Sequence, residues 1–102
     1  MERSGRLTPV VLGVLAGELG PRVRFARTDV TDEASVQNAL ALAAQQFNAI
    51  NVVINCAGII GVGRVVGKEG PYDLASFSRT IQVNLIGTFN VIRLAAGMMS
   101  QN

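Results

Sequence analysis

The sequence predicts an α/β chain of the doubly wound type, with two parallel strands, helices packed around them and an incomplete sheet. Three stretches carry this reading. Asn51 to Cys56 contains Val52, Val53 and Ile54, apolar without alternation, as in a strand covered on both faces. Val23 to Thr28 alternates apolar and polar residues as a second strand. Between them, Thr31 to Phe47 repeats apolar residues at helical spacing. A strand, helix and strand in that order demand a crossover and hence a parallel sheet.

The first element in the chain is a helix from Pro9 to Leu19, with Leu12, Leu15, Ala16 and Leu19 on one face, Pro9 suited to the first turn and Gly20-Pro21 as a stop. Gly13, Gly17 and Gly20 invite comparison with a phosphate-binding turn. Only 16 positions separate Gly13 from Asp29, too few for the helix, strand and second helix that a dinucleotide fold places there. They are read as helix glycines.

The strand from Val23 to Thr28 delivers Thr28-Asp29-Val30 as its carboxyl-end turn. Thr31 or Asp32 caps the helix that follows, Glu33 sits in its first turn, and Val36, Leu40, Ala43 and Phe47 form its apolar stripe. The central strand then ends in Asn55, Ala57 and Gly58. In open α/β sheets ligands bind at the carboxyl edge, and Gly58, lacking a Cβ, lets a ligand approach the backbone. Ile59 to Pro71 reads as a glycine-rich loop near a substrate mouth, with Lys68 the chain's only lysine.

Asp73 caps a long helix running to about Met99. Phe77, Ile81, Leu85, Thr88, Ile92, Ala96 and Met99 form a stripe expected to meet the sheet. Val83, Gly87, Leu94 and Gly97 form a second, smaller apolar face. Asn84 falls within the first stripe, where its amide needs partners and can hold a kink.

Composition narrows the function classes. With 102 residues the chain makes at most one domain, and 49% hydrophobic against 16% charged residues describes a packed chain with few charges for its surface. The close basic group Arg22, Arg24 and Arg27 alternates with Val23 and Phe25 as on an edge strand and lacks aromatic interleaving, so no nucleic-acid partner is expected. Cys56 is the only cysteine and reads as a core thiol. With no His to act as its base or to join a ligand set, neither a cysteine nucleophile nor a metal site is expected. No apolar run reaches the roughly 20 residues of a membrane span. Met1 to Arg6 lacks the apolar core of a secretory signal, and a reducing compartment, cytoplasm or mitochondrial matrix, is expected.

Asn55-Cys56-Ala57-Gly58 resembles the Asn-Asn-Ala-Gly signature of the short-chain dehydrogenase/reductase family. Thr28-Asp29-Val30 precedes it, and Val83-Asn84-Leu85-Ile86-Gly87 follows it, as two further motifs do in that family. The stretch from Tyr72 to Asn102 resembles the type-2 3-hydroxyacyl-CoA dehydrogenase branch. The resemblance implies a partial Rossmann-like fold, an NAD cofactor with NADP not excluded, and a small-molecule hydroxyacyl-CoA, hydroxysteroid or similar alcohol or ketone as substrate. It implies that Asp29 and Val30 contact adenine, that Asn55, Ala57 and Gly58 line the cofactor site, and that Asn84 is the catalytic asparagine positioning a water in the proton relay. It further implies an oligomer interface that includes the 74–99 helix.

Two parts of that family's machinery are not found in these residues. There is no Gly-x-x-x-Gly-x-Gly turn, and the only tyrosine, Tyr72, is followed four residues later by Ser76 and not by lysine. The two strands correspond to the third and fourth of a 3-2-1-4-5-6 sheet, which are not neighbours. The chain is therefore expected to be a middle portion of a dehydrogenase that is inactive alone. The alternative is a non-catalytic truncated relative that docks on full-length subunits through the 74–99 helix.

Overall fold

The computed structural model describes residues 9–102, and the Met1 to Arg6 reading lies outside the described residues. The elements in order are helix α1 (Pro9–Leu19), helix α2 (Glu33–Phe47), strands β1 (Val66–Gly67) and β2 (Gly70–Pro71), helix α3 (Leu74–Ile81), a π-helical turn (Gln82–Gly87) and helix α4 (Thr88–Met99). None of the described helices is long and apolar enough to cross a membrane.

Local chemistry accounts for the helix ends. Asp32 caps α2 by accepting from the Ser35 N–H at 3.0 Å, and Asp73 caps α3 by accepting from the Ser76 N–H at 3.0 Å. Asn48 stops α2 in a positive-φ conformation (81°), donating its N–H to the Ala44 carbonyl at 2.9 Å.

The predicted parallel strands do not form. Among the described residues the only sheet is an antiparallel hairpin, with Val66 opposite Pro71 and Gly67 opposite Gly70, inside the stretch read as a loop. The segments 23–28 and 51–56 take no regular secondary structure and make no ladder. A strand requires a neighbour about 4.8 Å away, and the third and fourth strands of a doubly wound sheet are separated by two others. For the same reason the central segment is not buried: Val52 is 74% and Ile54 79% exposed, and Cys56 is an exposed thiol instead of a core one.

The core is small and lies where α2 crosses α4. Val36 of α2, Ala95 of α4 and Ile50 beyond α2 are buried, joined by one buried polar residue, Asn90. The radius of gyration is 16.8 Å, against about 13 Å for a closed domain of roughly this length. α1 buries no residue at all.

The faces of the 74–99 helix are exchanged relative to the sequence reading. The stripe expected to meet the sheet is open, with Phe77 53%, Leu85 64% and Ile92 49% exposed. The small face turns inward instead: Gly87 is buried, and Val83 and Leu94 are half-buried. The stripe stays open on both sides of the π turn, because among the described residues no sheet beyond the short hairpin forms to cover it. Gly87 also admits what a larger residue would not, since a Cβ there would run into the Val30 side chain.

Candidate functional site: a cleft between the 29–31 turn and the 57–59 segment

The turn after residue 28 is tied down locally. The Asp29 N–H donates to Ser35 Oγ at 2.8 Å, and Asp29 Oδ1 accepts from both the Thr31 N–H (2.9 Å) and the Thr31 hydroxyl (2.7 Å). These bonds from the Thr31 hydroxyl and N–H, helped by the charge of Arg79, hold the Asp29 carboxyl below the usual carboxylate range. Both bonds fall on one oxygen. Oδ2 takes no hydrogen bond among the described residues and remains an acceptor for a ligand.

Across from this turn lies the segment following the central stretch. It is held by Asn84 in the π turn, whose Oδ1 accepts from the Ile59 N–H and whose Nδ2 donates to the Ile59 carbonyl, both at 2.8 Å. Asn84 was expected to be buried. It is exposed, yet each half of its amide is paired. It stands in the π turn and holds the loop through the Ile59 backbone. A Cβ at Gly58 would meet Asn84 Oδ1 at 3.4 Å, about ordinary contact distance.

Together these walls enclose an open cleft of about 690 Å³, lined by Asp29, Val30, Ala57, Gly58 and Ile59 with Arg27, Arg79 and Val83. Four of the five residues expected to bind cofactor, Asp29, Val30, Ala57 and Gly58, therefore share one space. Asn55 does not. It lines a neighbouring hollow of about 500 Å³ between the two unpaired segments, with Cys56, Phe25 and Leu12. Asn84 stands behind the cleft wall and acts on it through Ile59.

The sequence reading missed Arg27, Arg79, Thr31 and Ser35. Arg79 precedes Val83 by one helical turn, so projecting that face would have found it. Arg27 precedes Asp29 by two positions, which in a strand puts both on one side. Arg27 had been read with Arg22 and Arg24 as an edge-strand charge, and Arg79 was not singled out.

A family model described as short chain dehydrogenase matches residues 9–102. The chain belongs to the short-chain dehydrogenase family. It is 49% identical over 89 residues to the 3-hydroxyacyl-CoA dehydrogenase type-2 of Bos taurus, a match covering 85% of this chain and 34% of the relative. The Homo sapiens protein of the same name matches to the same extent, 49% over 89 residues, again 85% of this chain and 34% of the relative. A 3-alpha-(or 20-beta)-hydroxysteroid dehydrogenase of Mycobacterium bovis is 32% identical over 87 residues, covering 85% of this chain and 32% of the relative. Among solved structures, a double mutant of a Serratia marcescens short-chain dehydrogenase/reductase superposes with a TM-score of 0.61 at 29% identity, over 72% of this chain and 28% of that one. This short-chain dehydrogenase chain thus spans about a third of the length of the curated relatives it matches, and its helices and the segments between them form part of a Rossmann-like fold.

Proposed function

We propose that this chain supplies the adenosine side of the NAD(P) cleft of a short-chain dehydrogenase acting on a hydroxyacyl-CoA, a hydroxysteroid or a similar alcohol or ketone. The observation that carries the proposal is the convergence of Asp29-Val30 and Ala57-Gly58 on one cleft, from positions far apart in the chain. The donor set suits adenosine. Asp29 Oδ2 is an acceptor for an exocyclic amine, Val30 and Val83 supply apolar walls, and Gly58 leaves room for close approach to the backbone.

The fit does not extend to the pyrophosphate. Beside the cleft, the amino end of α2 is already capped by the Asp32 carboxylate, whose charge repels a phosphate, and the described residues hold no Gly-x-x-x-Gly-x-Gly turn. When bound, the nicotinamide would accept or deliver hydride. The chain's own contribution is to orient adenosine through Asp29 and to hold the 57–59 wall through Asn84. Tyr72 is not placed as a proton donor: its ring lies against Gly63 and its hydroxyl near Gly61, with no lysine four residues on. The names of the relatives support the substrate class, and the chain alone is inactive in this reading.

The test is titration of the 102-residue chain with 5′-AMP, followed by amide NMR. The expected result is shifts at residues 28–31 and 57–59, lost in Asp29→Ala, with no NADH-dependent reduction of acetoacetyl-CoA. Turnover by the purified chain, or shifts scattered away from the cleft, would defeat the reading.

One observation favours a second reading, that of a docking partner for full-length subunits. Leu74, Phe77, Ile81, Leu85, Phe89 and Ile92 recur at steps of three and four along the 74–99 helix and are all exposed, making one apolar stripe on a chain whose core is small. Mixing with an intact relative and measuring a mixed oligomer separates the two readings.

A further inference from the structure

Asn90 is the one buried polar side chain among the described residues, 7% exposed in the first turn of α4. A buried amide costs free energy unless its groups are paired, and here both ends are. Its Nδ2 donates to the Val30 carbonyl at 2.9 Å. Its Oδ1 accepts from Arg93 Nε at 3.1 Å and Arg93 Nη2 at 2.8 Å, and Arg93 in turn forms an ion pair with Glu33 in the first turn of α2.

The Val30 carbonyl is not an arbitrary partner. It belongs to the same planar peptide unit as the Thr31 N–H, and that N–H donates to Asp29 Oδ1 at 2.9 Å. Fixing one end of the plane fixes the direction of the other. One turn earlier, at the end of the π turn, Gly87 packs against the Val30 side chain, so the 74–99 helix touches Val30 at side chain and backbone alike. An apolar residue at position 90 would fill the same space but would give the peptide plane no preferred direction.

We infer that Asn90 is a positioning residue for the cleft, orienting the Asp29 carboxylate through the single peptide plane between Val30 and Thr31, with Arg93 and Glu33 holding its amide in register. This rests on the adenosine reading of the cleft for its ligand, while the geometry of the turn stands apart from it.

The decisive variant is Asn90→Asp in the 102-residue chain. It keeps the size of the side chain and the acceptor for Arg93 but loses the donor to Val30. The expected result is faster amide exchange at Thr31 and Asp32, unchanged exchange through the middle of α2, and a loss of 5′-AMP affinity of about three- to tenfold, the worth of one hydrogen bond. Arg93→Met keeps the donor to Val30 but frees the amide oxygen that holds it in register, and should raise Thr31 exchange and weaken 5′-AMP binding by less than Asn90→Asp does. Should Asn90→Asp fail to fold, Asn90→Gln, which keeps the amide but misplaces it by one methylene, should show the same local exchange at Thr31. Unchanged Thr31 exchange in either folded variant, or exchange raised equally through α2 and α4, overturns the positioning role. A wild-type chain that ignores 5′-AMP overturns the adenosine reading instead, and Thr31 exchange then still decides whether Asn90 orients the turn.

Discussion

Asn84 grips Ile59 by both backbone groups, accepting from its N–H and donating to its carbonyl at 2.8 Å each, across 25 positions of sequence. The pair joins the π turn to the segment after the Asn-Cys-Ala-Gly motif, so one side chain links two of the three motifs. Gly87 and Asn90 join the same helix to the third motif through Val30. The motifs are contacts of one another before they are contacts of any ligand.

Asn84→Ala removes two hydrogen bonds and should cost about 1–2 kcal/mol of stability. Amide exchange at Ile59 should rise more than in α2, and denaturant unfolding with exchange mass spectrometry measures both. Equal protection of Ile59 in wild type and variant would show that the pair holds nothing.

Gly87→Ala should destabilise by about 1–3 kcal/mol, because the new methyl overlaps the Val30 side chain and helix propensity cannot offset that. Val30→Ala in the same chain should recover part of the loss. A double-mutant cycle reads the coupling, and strict additivity would mean the two residues do not meet in solution.

The Asp29 carboxyl is held low by the Thr31 hydroxyl and N–H. A group whose folded pKa is depressed contributes stability above its unfolded pKa and loses it as pH falls through the folded value. The contribution of Asp29 should therefore be complete at neutral pH and fade only below the usual carboxylate range. Thr31→Val removes the hydroxyl donor and should move the Asp29 titration upward toward an ordinary aspartate, as followed by carboxyl carbon NMR. No movement would assign the shift to another cause.

The exposed stripe on the 74–99 helix should drive association. Leu85→Glu places a charge on it at a residue 64% exposed and should weaken self-association or binding to a relative, with helicity retained. Leu94→Glu, at a half-buried position on the inward face, should unfold the chain instead of merely separating copies. Sedimentation velocity with circular dichroism distinguishes these outcomes. A wild-type chain that stays monomeric at high micromolar concentration would remove the basis of the docking reading.

What the sequence disclosed follows from the range over which each signal acts. Helix ends depend on neighbours within a turn: α1 and the cap Asp73 stand as read, while α2 ends at Phe47 as read but begins at Glu33, with Asp32, one of the two candidate caps, in place before it. The three motifs were legible as words, and the comparisons agree on the family. Strand pairing was not legible, because a ladder is a property of two segments and neither Val23 to Thr28 nor Asn51 to Cys56 records whether its neighbour is present. The orientation of the 74–99 helix was not legible either, because which of its two apolar faces turns inward depends on a distant partner, Val30, that meets Gly87 and Asn90. Asn90 escaped notice because a single asparagine on an inward helix face looks like any other until its partner, a backbone carbonyl 60 positions away, is known.

The open central segment also governs how this polypeptide fares in a crowded solution. Residues 51–63 carry no charge and no proline, and Val52, Ile54, Ile60 and Val62 stand between 74% and 89% exposed on backbone that pairs with no strand. Such a stretch is a template for intermolecular cross-β stacking, and the nearest gatekeeping charge is Arg64 at its end. The stretch that would form the centre of a closed sheet is here an open, unpaired surface. A holdase that binds extended β-branched peptide, or a protease that needs an unpaired strand, would meet it before any nucleotide reached the cleft.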